Sequence, residues 1–76
     1  MTYKVNLKIH EKGETLEYIF DENQPELMRW QVVADGLIAS GVGEREANTV
    51  AWWTVGNKWK VPYEGVGCSG EVIKIC

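Results

Sequence analysis

Histidine, proline and cysteine are all scarce in this chain, at one, two and two among 76 residues. His10 has no second imidazole to join it. With Cys68 and Cys76 the soft ligands total three and show no C-x-x-C spacing, which argues against structural zinc. Two cysteines are also too few for the disulfide framework of a small secreted domain. If Ser69-Gly70 turns the chain tightly, Cys68 and Cys76 end about 17 Å apart at strand rise. A disulfide needs Cα atoms within roughly 7 Å, so the two thiols are expected to be unjoined.

Long apolar runs are missing too. No stretch approaches the ~20 apolar residues of a membrane span. The opening MTYKVNLKIH alternates apolar and polar residues and lacks a basic segment leading into an apolar one. The expectation is a cytoplasmic protein without membrane contact. Basic residues are outnumbered, eight against eleven acids, for a net charge of −3. That balance disfavours a general binder of nucleic acid or anionic lipid, though it leaves room for a local basic patch.

Catalytic groupings are equally thin. Cys68 is the best nucleophile available, but nothing in the sequence brings His10 to it, so no enzyme is expected. The acidic pairs Asp21-Glu22 and Glu44/Glu46 lack a calcium-loop pattern. Gly41-Val42-Gly43 follows a helix instead of opening one, the wrong order for a phosphate cradle. No cofactor and no metal are implied.

What the chain does have is apolar content of 45%, including four tryptophans and three tyrosines. That is ample for one packed domain over residues 1–76. Tyr3, Val5, Leu7 and Ile9 alternate with polar neighbours, and Leu16, Tyr18 and Phe20 repeat the pattern. With Lys12-Gly13 as a two-residue turn, Ile9 faces Leu16, Leu7 faces Tyr18, Val5 faces Phe20 and Lys8 faces Glu17. Pro25 and Glu26 suit a helix start. At 100° per residue Leu27, Trp30, Val33, Ala34, Leu37 and Ile38 gather on one face that packs on the sheet, and Gly41-Val42-Gly43 ends the helix.

From Thr49 to Tyr63 the sequence reads as a second hairpin about Gly56-Asn57. Its inner face holds Val50, Trp52, Thr54, Trp59, Val61 and Tyr63. Its outer face holds Ala51, Trp53, Val55, Lys58, Lys60 and Pro62. A short helix through Glu44–Trp53 competes with this reading. A glycine-rich loop over 64–70 and a last strand over 71–76 complete an α+β fold of order ββαβββ, an antiparallel sheet with one helix across one face.

Two surfaces stand out. Trp53 between Lys58 and Lys60 suits a protein interface, or a single-stranded nucleic acid whose bases stack on the ring. On the helix, Met28, Val32 and Ala39 form an apolar stripe flanked by Arg29, Gln31 and Asp35, suited to a protein partner or a homodimer. The favoured function is a small non-enzymatic binding protein acting on a protein partner, as an inhibitor or adaptor of phage or mobile-element type. A single-stranded nucleic-acid module using Trp53, Lys58 and Lys60 is the alternative.

Overall fold

A computed structural model describes residues 1–56 and 61–75. Its elements are β1 (Thr2–Ile9), β2 (Thr15–Asp21), α1 (Glu26–Ala39), α2 (Glu44–Val55), β3 (Tyr63–Glu64) and β4 (Cys68–Lys74). The four strands form one antiparallel sheet in the order β2-β1-β4-β3. The α+β class is as expected. The order is ββααββ, with two helices where the sequence reading has one.

β1 is central, and its alternation is complete: Tyr3, Val5, Leu7 and Ile9 are all buried. The first hairpin pairs Leu7 with Leu16, Val5 with Tyr18 and Tyr3 with Phe20. That is a slide of two residues from the expected pairing. Both registers keep the same side chains inward, because strand periodicity is two. The turn decides between them. Ile9 N–H donates to Glu14 O and Gly13 N–H donates to Ile9 O, both at 2.8 Å, so the loop is His10–Gly13 and not Lys12-Gly13 alone. Gly13 at φ +69° supplies the left-handed residue that such a loop needs. On the open face Glu17 consequently pairs with Lys4 at 3.2 Å instead of Lys8.

α1 ends in a Schellman arrangement. Val42 N–H donates to Leu37 O and Gly41 N–H to Ile38 O, both at 3.0 Å, with Gly41 at φ +95°. Val42 is buried, closing the contact that accompanies this cap. The inward face of α1 differs from expectation. Val33, Ala34 and Leu37 are buried as read, but Arg29 joins them while Leu27 and Ile38 are exposed.

The second hairpin does not form. Thr49–Val55 belongs to α2, the competing reading, and the pairing partners at 57–60 lie outside the described residues. The helical period wins over the alternation for a visible reason. Ala47, Val50, Ala51 and Thr54 stand at i, i+3, i+4 and i+7, and all four are buried on one face. Thr54 is tolerated there because its hydroxyl donates to Ala51 O at 2.7 Å. The last strand also starts earlier than read, at Cys68, and joins β3 through Gly65-Val66-Gly67.

Candidate binding surface

The two helices lie side by side on the inner face of the sheet. α2 covers the β3–β4 side, where the Trp53 ring stands 5.9 Å from that of Tyr63. α1 lies over β2: a Cβ added to Gly36 would collide with the Tyr18 hydroxyl and come within 3.9 Å of Leu16. Gly36 is therefore what lets the helix approach the strand this closely.

Trp52 and Trp53 exchange the roles that strict alternation assigns them. Trp53, expected on the outer face, is only 7% exposed, and its Nε1 donates to Val61 O at 2.8 Å. Trp52, expected in the core, is 53% exposed and meets Trp30 across the helix pair at 5.8 Å between ring centroids. Neighbours on a helix diverge by 100°, and neighbours on a strand by 180°, so a wrong element type reassigns both rings. Lys58 and Lys60 lie outside the described residues. The proposed Trp53 platform thus loses its aromatic from the surface.

Met28 and Val32 stand where the sequence places them, exposed on α1. The structure adds Leu27, 67% exposed, and Ile38. The sequence pattern places these two in the core, because hydrophobicity alone centres the helix face between them and Val33. The missed signal is Arg29, which lies opposite them on the wheel and is drawn inward by polar partners. Its Nη1 donates to the Tyr3 hydroxyl at 2.6 Å and its Nε to Gln24 O at 3.2 Å. The guanidinium also lies 6.0 Å from the Tyr3 ring centroid. A buried cation is tolerable only when its donors are met in this way. Trp30 Nε1, beside this surface, is buried with no acceptor among the described residues.

A polar cluster occupies the opposite end of α2. Glu46 accepts from Tyr63 Oη at 2.9 Å and from Gly67 N–H at 2.8 Å. His10 adds a second tie to the same loop, from Nδ1 to Val66 O at 3.0 Å, while its own N–H reaches Gly67 O. The loop is held from two elements, and Val66 projects from its tip 96% exposed. Burial, with the Glu46 carboxylate adding to it, pushes the Tyr63 phenol up to about 12 and the Cys68 thiol up to about 11. Both groups are held in their protonated forms at neutral pH, the opposite of an activated nucleophile. Cys68 is fully buried and free, and Cys76 lies outside the described residues.

No grouping of three or more metal-ligating side chains occurs among the described residues, and no helix there is long and apolar enough to cross a membrane. The chain matches no family model, no curated protein and no solved structure.

Proposed function

We propose that this protein is a non-enzymatic binding protein that docks onto a protein partner through the outward side of α1. The observation that supports the reading is the apolar surface of that helix. α1 buries Arg29 while leaving Leu27, Met28, Val32 and Ile38 in solvent, with Trp52 of α2 adjoining. A helix that merely roofs a sheet is polar on its outer face, whereas on α1 the exposed Gln31 and Asp35 stand between two apolar pairs, Leu27 with Ile38 and Met28 with Val32. A cytoplasmic inhibitor or adaptor fits this reading. Its test is direct. Val32→Glu on the exposed face should leave the unfolding free energy within about 0.5 kcal/mol of the parent. The same change should release a protein captured by the parent chain. A partner held equally by the parent and by both Val32→Glu and Leu27→Glu overturns the proposal.

The nucleic-acid alternative is not favoured by any of these observations, since Trp53 is packed against Tyr63 and cannot receive a base.

A further inference from the structure

β2 is an edge strand, and half of its backbone groups point outward. Ile9 N–H donates to Glu14 O, and Glu22 N–H to Met1 O. Antiparallel pairing alternates, so even-numbered residues of β2 aim their N–H and C=O at β1 and odd-numbered ones aim theirs away. Asp21 bears this out: its N–H goes to Gln24 Oε1 and its C=O takes the Gln24 N–H, both at 2.9 Å. Thr15, Glu17 and Ile19 have no such cap among the described residues. Of the usual edge protections β2 carries only charge, at Glu17 and Asp21: it has no proline, no lysine and, from Thr2↔Asp21 to Lys8↔Thr15, no bulge.

The unpaired edge adjoins the apolar flank of α1. Gly36 touches Tyr18, and Val32 and Met28 lie on the Gly36 side of the helix, 40° and 80° further round at 100° per residue. Trp30 and Ala34 lie on the other side, towards α2. A strand added to β2 would therefore send alternate side chains beside Leu16 and Tyr18 and under Val32. The remaining side chains would line up with Thr15, Glu17 and Ile19 on the open face.

Charge selects among occupants. β2 itself carries Glu17 and Asp21 and no cation. Glu17 is met by Lys4 from the β1 side, and the flanking Glu14 and Glu22 by Lys12 and the N-terminus. On the outer side of the strand, therefore, no cation faces the Glu17 and Asp21 carboxylates among the described residues. Antiparallel self-pairing of β2 would bring the carboxylates of two chains, each of charge −3, onto one seam, and like charges facing across strands are destabilising. We infer that the free edge of β2 receives an extended segment of a partner protein, apolar at alternate positions and lysine- or arginine-bearing between them. It would lie as a fifth strand whose apolar side chains are roofed by Met28 and Val32. This rests on the reading of α1 as a partner surface and gives that surface a binding mode, strand addition.

The test uses the full chain and two labelled peptides of about eight residues, long enough to span an ordinary strand. One alternates lysine with valine and the other glutamate with valine. Saturable binding of the lysine peptide should slow amide exchange at Thr15, Glu17 and Ile19 at least about tenfold, as expected for amides brought into a ladder. The glutamate peptide should bind at least about tenfold more weakly. Ile19→Pro removes an outward N–H without touching the β1 ladder, so the chain should stay folded and lose the lysine peptide. Should Ile19→Pro misfold, Glu17→Lys supplies the same test by shifting preference towards the glutamate peptide. Absence of saturable binding, binding without exchange protection, undiminished binding by folded Ile19→Pro, unchanged preference in Glu17→Lys, or self-association through β2 each overturns the inference. If Val32→Glu releases the captured partner while folded Ile19→Pro retains it, strand addition falls and the α1 surface stands. If Val32→Glu, Leu27→Glu and Ile19→Pro all retain it, both readings fall.

Discussion

Arg29 of α1 donates to the hydroxyl of Tyr3 on β1 at 2.6 Å, a charge-assisted bond inside the core that ties helix to sheet. Tyr3 passes the connection on, its Oη lying 3.4 Å from Thr54 O of α2. This polar spine sets the rotation of α1 and so decides which of its apolar residues reach solvent.

Arg29 and Leu27 should accordingly show the reverse of the usual order in mutational cost. Arg29→Ala removes charge-assisted bonds worth about 1.5–3 kcal/mol each and the packing of the side-chain stem. Leu27→Ala on the exposed face should cost less than about 0.5 kcal/mol. Urea unfolding of the two variants measures both, and a greater loss in Leu27→Ala would contradict the rotation of α1.

The contact between Gly36 and Tyr18 makes a second test. Alanine favours a helix over glycine by about 1 kcal/mol, yet here its Cβ would enter the space of the Tyr18 hydroxyl. Gly36→Ala should therefore destabilise, by about 1–3 kcal/mol for overpacking. In a Tyr18→Phe background, where the obstructing oxygen is gone, most of that loss should vanish. Equal effects in both backgrounds would mean that the helix does not ride on this strand.

Trp53 and Trp52 differ in the same sense. Trp53→Ala should cost about 3–5 kcal/mol as a core truncation and Trp52→Ala about 1 kcal/mol, mostly the ring contact with Trp30. Beneath Trp53 the sheet offers Gly70, where a Cβ would stand 3.2 Å from Trp53 Cζ3 and 2.5 Å from Leu7 Cδ2. Gly70→Ala should then red-shift tryptophan emission as the buried ring is pushed towards water, along with lowering stability.

Alkaline pH should weaken the fold through Cys68 and Tyr63. Both are acids whose neutral forms are favoured by folding, with the thiol raised from 9.0 to about 11 and the phenol from 10.0 to about 12. Their contribution is complete below the unfolded values and is lost as pH rises, from 9 through 11 for Cys68 and from 10 through 12 for Tyr63. Denaturation midpoints measured between pH 8 and about 12 should fall across those intervals. Tyr63→Phe should flatten the upper part of the decline while giving up the bond to Glu46.

Alternation in 3–9 and 16–20 was sufficient for the first hairpin and its inward side chains, because a strand's period of two survives a slide of register. The glycine at position 41 likewise sufficed to end α1, since few other residues accept its backbone angles. Residues 49–55 were different. Val50, Trp52 and Thr54 satisfy a strand, and Ala47, Val50, Ala51 and Thr54 satisfy a helix. Only packing against α1 and the inner face of the sheet selected the second pattern and turned Trp53 inward and Trp52 outward. The face of α1 was also beyond local reading, because Leu27 and Ile38 are as apolar as the residues that are buried. What decided it was a partner 26 residues away: the Tyr3 hydroxyl, placed in the core by β1, draws Arg29 inside and leaves leucine in the water.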